Sequence, residues 1–315
     1  MALDLFKKID SHKGVYAIEK AALVYGALTS ILILILFREI NYPGKMLGNR
    51  LIIVGITFLL VWLYHFFPCK CLAFIRVCFQ MSMLSYWYPD TYEFNRLFSN
   101  LDHIFACVEH QVFGCQPSIL FSQYFPQVCV SEAFNLGYFS YYPMIAIVVI
   151  FFLIYRFEQF ERISFICITS FFICYFIYIF IPVAGPQYYF PVAGFDNVHQ
   201  GVFPAIGDYF NYNQELFPGP GYRDGVFYRL VEASQQVGER PTAAFPSSHV
   251  GVSTVLMILT WRENKKLFVF LLPFYLLLCG ATVYIQAHYL IDSIAGFGLA
   301  FGLYAFTDRI FAKYL

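Results

Sequence analysis

The sequence predicts an all-α fold, a polytopic membrane helix bundle of about eight spans with a surface amphipathic helix and a long outer loop. Three observations predict it. The 315 residues are 59% hydrophobic and 13% charged, where a soluble domain carries about 25% charged residues. The mean hydropathy of +0.62 calls for several spans rather than one large soluble core. Apolar runs of roughly 20 residues, the length a helix needs to cross a bilayer, recur along the chain. Lys and Arg together number 20, as do Asp and Glu, so no basic field points to nucleic acid.

The expected spans are 18–37, 51–67, 136–155, 163–181, 247–266, 269–287 and 289–307, with a weaker eighth at 72–88 interrupted by Arg76 and Gln80. The first run begins near Ala17, exceeds a signal-peptide core and lacks a small-residue cleavage site, so it is expected to stay as a span. No repeat or low-complexity stretch appears, which predicts one membrane domain over 1–315 with catalytic helices in 246–307. Residues 89–135 place Phe105, Val108, Val112 and Phe113 at helical spacing between Asp102, Glu109 and His110. That pattern predicts a helix lying on the membrane surface. Residues 182–246, rich in Gly, Pro, Asn and aromatics, are too long for a mere connector. The phenylalanines Phe151, Phe152, Phe171 and Phe172 are expected to face lipid. The nine cysteines form no zinc pattern, and a disulfide among Cys107, Cys115 and Cys129 stays open.

Orientation follows from Lys and Arg in short loops. Arg156 and Arg162 flank one turn, Lys265 and Lys266 mark another, and Arg309 and Lys313 follow the last span. Alternation puts all three on one side, the cytoplasmic one. The 182–246 loop, His249 and His288 then lie on the periplasmic or lumenal face. Arg38, Lys45 and Arg50 would fall outside against the rule, although a seven-span reading fits worse.

Two segments carry the chemistry, AAFPSSHVG at 243–251 and HYLID at 288–292. Ionisable groups in membrane segments are costly and point to function. His288 and Asp292 are four apart and share one helical face. A carboxylate there can hold one imidazole nitrogen and leave the other as a nucleophile. His249 comes from a different helix, and a hairpin turning near Lys265, Lys266 and Pro273 returns both histidines to one depth. Pro246, Ser247 and Ser248 precede His249 where a helix should start, and such an N-terminus favours an anion. Other readings remain open: a helix-end histidine bonded to a carbonyl, a zinc site of two His and one Asp, or a translocation path. The last is disfavoured because transporter sites lie near the midplane, often with internal repeats.

At these motifs the chain resembles the type 2 phosphatidic acid phosphatase superfamily, and within it the branch of inositol phosphorylceramide and sphingomyelin synthases. Pro246-Ser247-Ser248-His249 matches the Pro-Ser-x-His turn, and His288-Tyr289-Leu290-Ile291-Asp292 matches the His-Tyr-x-x-Asp motif. The specific match covers about 246–296, with looser similarity through 185–189 and 140–143. The resemblance implies that His288 attacks phosphorus, Asp292 orients it and His249 protonates the leaving group, without a metal or other cofactor. The phosphatases' Ser-Arg before the nucleophilic His is replaced by Thr282-Val283, and their upstream Lys by Ala233. Positive charge must then come from Arg223, Arg229 or Arg240. Arg240, next to the turn, joins Ser247 and Ser248 as the expected phosphate-binding set. The expected function is a membrane lipid phosphotransferase. It moves a phosphate-linked, inositol-phosphate-like head group to a ceramide-like or diacylglycerol-like lipid through a phosphohistidine. Lipid phosphate phosphatase is the alternative. The expected partners are membrane lipids, with homo-oligomerisation left open.

Overall fold

A computed structural model describes residues 5–9 and 14–314. Its contacts group into two compact units. The first comprises Met1–Trp87, Val149–Phe172 and Ala305–Leu315, the second Tyr88–Val148 and Ile173–Tyr304. The described residues form helices and a single isolated bridge, Lys8 with Cys69.

In chain order the helices are α1 (Ala17–Ile35), α2 (Pro43–Phe66), α3 (Lys70–Ser82), α4 (Leu84–Asn95), α5 (Asp102–Phe113), α6 (Pro117–Tyr124), α7 (Val128–Phe139) and α8 (Tyr141–Tyr155). They continue as α9 (Phe157–Phe180), α10 (Pro186–Ala193), α11 (Phe195–His199), α12 (Val226–Gly238), α13 (Ser248–Glu263), α14 (Lys265–Tyr284) and α15 (Leu290–Tyr314).

Among the described residues five helices, α1, α2, α9, α14 and α15, are long and apolar enough to cross a membrane, or six if α7 and α8, bent by 45°, form one span. The expected count of about eight is therefore not reached by length and composition, for two local reasons. The 72–88 run breaks at Met83 into α3 and α4. The 247–266 run yields an α13 of 16 residues, about 24 Å at 1.5 Å per residue against a hydrocarbon core of about 30 Å.

In the first unit, polar residues within apolar runs find one another. Glu19 caps α1 by accepting the Tyr16 N–H (2.7 Å) and takes the Arg76 guanidinium at 2.5 and 2.7 Å. Both side chains are fully buried, and the Tyr16 and Tyr64 rings cover the guanidinium. Gln80 donates to Thr57 (2.9 Å). Arg50, expected in a loop against the charge rule, is buried on α2 and donates to Thr29 (3.3 Å). Phe152, Phe171 and Phe172 are buried rather than lipid-facing, with Phe172 stacked on Tyr25 at 4.4 Å. Apolar residues on a helix satisfy packing and lipid alike, so composition alone does not separate the two.

In the second unit, residues 182–246 are ordered, carrying α10, α11 and α12. They pack through Val183, Tyr189, Phe190 and Ala244 onto Tyr289. The predicted helix at Phe105–Phe113 exists as α5, but its charged face points inward. Asp102 and Glu109 are fully buried while Val108 and Val112 are exposed. All nine cysteines are free thiols, so Cys107, Cys115 and Cys129 form no disulfide.

Candidate active site

Serine at 247 folds this corner of the chain. Its hydroxyl accepts the Val250 N–H (3.4 Å) as the N-cap of α13, satisfying one of the orphan donors of a helix start. Helix α13 ends at Glu263, and Asn264 caps α14 by accepting the Leu267 N–H (2.9 Å). The hairpin thus turns at Asn264, next to the predicted Lys265 and Lys266, while Pro273 sits inside α14. Helix α14 stops at Tyr284, and the 285–289 connection brings His288 back over α13.

His249 and His288 meet as predicted, with ring centroids 5.6 Å apart and His288 Nε2 3.4 Å from His249 Nδ1. His288 Nδ1 lies 2.8 Å from the Ala244 carbonyl oxygen. A carbonyl only accepts, so Nδ1 carries the hydrogen and Nε2 presents its lone pair toward His249. Burial pushes the His288 imidazole down to about 4, with the Ala244 carbonyl opposing, which keeps it neutral at pH 7.

Asp292 plays a different part from the one its spacing suggested. Its Oδ2 is 3.8 Å from His288 Nδ1 but accepts the Tyr289 N–H at 2.8 Å. The carboxylate thereby fixes the start of α15 and the backbone next to His288. Tautomer control comes from Ala244, a main-chain group with no side-chain signature.

Close packing of α13 on α15 makes this arrangement possible. The Ser247 N–H donates to the Asp292 carbonyl (3.1 Å). Gly251 and Gly296 face each other at the crossing, where a Cβ on Gly251 would stand 3.3 Å from the Gly296 oxygen. Tyrosines brace the turn from other helices. Tyr178 donates to the Pro246 carbonyl (2.9 Å) and accepts the Ser248 N–H (3.1 Å), while Tyr141 donates to the Ser248 carbonyl (3.2 Å). The rings of Tyr138 and Tyr141 lie 4.7 and 4.5 Å from the His249 ring.

Two carboxyls of α5 complete the support. Asp102 accepts the N–H groups of Ala184 (2.7 Å) and Gly185 (2.8 Å), the Asn100 amide (2.6 Å) and the Tyr289 hydroxyl (3.0 Å). Gly185 has φ +99°, and a Cβ there would stand 2.6 Å from the Ala287 oxygen. That contact lets the 182–246 segment lie directly on the backbone before His288. Glu109 accepts the Leu290 N–H (3.1 Å) at the start of α15. Burial, offset by that bond, pushes its carboxyl up to about 8. Both carboxyls lay outside the expected site; the signal was two acids among apolar residues of a membrane-proximal helix.

The expected phosphate-binding residues are placed as follows. Ser247 is fully buried and occupied as a cap, and Ser248 is buried between Tyr178 and Tyr141. Arg240 is half-buried, donates to the Glu239 carbonyl (3.0 Å) and lines a cavity beside the site. Arg223 and Arg229 are exposed, Arg229 pairing with Asp224 at 3.5 Å. Thr282, where the phosphatases have Ser-Arg, pairs with the Ser293 hydroxyl (2.9 Å) and accepts the His288 N–H on its carbonyl (2.9 Å). The position serves to hold the loop rather than to supply charge.

A family model, that of the PAP2 superfamily, matches residues 103–306. The chain belongs to the PAP2 superfamily. The matched stretch contains His249, His288 and Asp292 together with Glu109 and Tyr289, so the PAP2 region and the histidine site coincide. PAP2 membership indicates a lipid phosphatase or phosphotransferase, and the long apolar helices make this PAP2 protein an integral membrane one. No curated protein and no solved structure matches the chain.

Proposed function

We propose that this PAP2 protein transfers a phosphate-linked head group between lipids through a phosphohistidine on His288, in the manner of the inositol phosphorylceramide and sphingomyelin synthase branch. One observation carries the proposal: His288 holds its Nδ1 hydrogen on the Ala244 carbonyl and points Nε2 at a second imidazole. His288 Nε2 attacks the donor phosphorus as the bond to the lipid alkoxide breaks, and His249 gives that oxygen its proton. His249 then takes the proton of the acceptor hydroxyl, whose oxygen attacks phosphorus as the P–N bond breaks. The substrate anion, next to the buried His288 ring and the half-buried His249 ring, favours the protonated form of His249. Arg240, Ser247 and Ser248 are the residues of this reading that steady the phosphate.

The acceptor is a ceramide-like or diacylglycerol-like hydroxyl rather than water. The ordered 182–246 segment packed over the connection to His288 supports this, because a transferase must shield its intermediate from hydrolysis. A site on the non-cytoplasmic face belongs to the same reading, supported by the position of His249 and His288 at the helix ends opposite Lys265 and Lys266. The test is turnover of a labelled phospholipid by purified protein with and without ceramide, for wild type and His288→Ala. Acceptor-dependent transfer that vanishes in the variant supports the reading. Release of free phosphate from a lipid monophosphate, equally lost, would make the protein a phosphatase. Unchanged turnover in the variant would end the mechanism.

A further inference from the structure

Helices α7 and α8 meet at Ser140 with a bend of 45°, and the break carries two tyrosines onto one ring. The Ser140 hydroxyl donates to the Gly137 carbonyl (2.6 Å) and its N–H to the Leu136 carbonyl (2.8 Å), closing α7. Gly137 lies against α14, where a Cβ would stand 2.6 Å from the Leu277 carbonyl carbon. That close approach fixes the end of α7. Tyr138, on one side of the break, stacks on the His249 ring with centroids 4.7 Å apart and 28° between the planes. Tyr141, on the other side, lies 4.5 Å from the same ring at 44° and is anchored by its hydroxyl on the Ser248 carbonyl (3.2 Å). Both tyrosines are buried.

This placement meets a requirement of the transfer. As the P–O bond to the lipid alkoxide breaks, that oxygen takes a proton from His249, which must carry a positive charge beforehand. An imidazolium that is half out of water and faces a second imidazole is costly. Its ring partner is His288 Nε2 at 3.4 Å, and among the described residues the carboxylate of the site pairs with His288 and not with His249. The other ionisable groups of the neighbouring elements have partners of their own. Asp292 on α15 accepts the Tyr289 N–H, Glu239 after α12 accepts the Tyr88 hydroxyl (3.1 Å), and Tyr178 on α9 donates to the Pro246 carbonyl. What His249 meets instead is two aromatic rings, whose faces are negative and attract a cation within about 6 Å of the centroid.

We propose that Tyr138 and Tyr141 are positioning residues for the proton transfer: their rings orient the His249 imidazole and stabilise its cation, so that it serves as the acid. The inference rests on the phosphohistidine reading. Weakening one such ring should lower the share of His249 that carries the proton by about tenfold. Because the rings bring no formal charge, the neutral His249 left after the first step keeps its lone pair available for the proton of the acceptor hydroxyl.

The experiment replaces Tyr138 in the full chain by phenylalanine and by mono-, di- and trifluorophenylalanine, which keep the shape of the ring while draining negative charge from its face. Turnover in detergent is followed with two donors, the lipid with its alkoxide leaving group and an analogue that releases nitrophenolate, which departs without a proton. With the lipid donor the rate at pH 7 should fall stepwise along the series, about tenfold from phenylalanine to trifluorophenylalanine, and its decline with rising pH should set in at lower pH. With the nitrophenyl donor the same series should change by less than about twofold. Equal losses with both donors, or no trend with the lipid donor, overturn the proposal. Fluorotyrosines at 141, which keep the bond to Ser248, should show the same contrast, and its absence there removes Tyr141 from the assignment. Nitrophenol release that persists in His288→Ala contradicts the phosphohistidine and not the acid. A missing trend along the series, with release lost in His288→Ala, contradicts the role of the rings and not the phosphohistidine.

Discussion

Replacing Gly296 by Ala adds one methyl group at the crossing of α13 and α15. An added Cβ would run into the Ser247 carbonyl oxygen and stand 3.2 Å from the Ser247 carbonyl carbon and 3.3 Å from the Gly251 nitrogen. Neither neighbour is the end of a flexible side chain. The oxygen already accepts the Gly251 N–H (2.9 Å) in the first turn of α13, and the Ser247 N–H is tied to Asp292 (3.1 Å). Relief therefore requires the helix start to move away by roughly 1 Å, carrying His249 with it. Overpacking of this kind costs about 1–3 kcal/mol, and a displacement of that size at reacting groups costs about a hundredfold in rate. The same helix provides controls, since nothing lies within 4 Å of a Cβ at Gly298 or Gly302. Turnover of purified Gly296→Ala should fall about a hundredfold, with helical content retained. Gly298→Ala and Gly302→Ala should match wild type and be slightly more stable, as Ala for Gly in a helix predicts. A folded Gly296→Ala as active as Gly298→Ala would show that this close approach does not set the site.

Other predictions follow from the supporting groups. Asp102→Ala leaves the N–H groups of Ala184 and Gly185 and the Tyr289 hydroxyl without their acceptor, at about 1–3 kcal/mol each; the unfolding temperature in detergent should drop and turnover with it. Glu109 has its carboxyl raised from 4.5 to about 8, so the folded state holds the proton more tightly than the unfolded chain does. Its stability contribution is complete below pH 4.5, falls as pH rises toward about 8 and is level above, by at most a few kcal/mol. Glu109→Gln should remove that slope in a pH series of thermal unfolding, and an unchanged slope would assign it to other groups. Arg76→Ala leaves Glu19 buried and unpaired, which should destabilise the protein by about 3–5 kcal/mol; an unfolding temperature equal to wild type would contradict the pairing.

Where the sequence carried periodicity and motif, the structure agrees with it. The histidines announced themselves as ionisable groups at predicted helix ends, and Ser247 as a cap ahead of an apolar run. The Asn264 turn is a residue-level boundary that hydropathy blurs, since Lys265 and Lys266 read equally well as either side of it. The span count slipped where apolar length overstated a helix, at α13, and where a run that looked continuous broke at Met83. Arg76 and Gln80 weakened the reading of 72–88 because single-sequence hydropathy cannot see that Glu19 and Thr57 receive them. The Ala244 carbonyl could not have been found, because every residue carries a carbonyl and only the fold says which one meets His288. Asp102 and Glu109 were visible as charges, but the outward-facing valines of α5 invited a surface-helix reading that hid the inward face.

Covalent phosphorylation of His288 can be read by rapid quenching. Purified protein mixed with a donor lipid labelled in the phosphate should be stopped in base within a turnover, and the denatured chain analysed for label. The expected result is label on His288, stable in base and lost in mild acid, absent from His288→Ala and discharged by adding the acceptor lipid. Turnover without label on the wild-type protein, or label retained in His288→Ala, would contradict it.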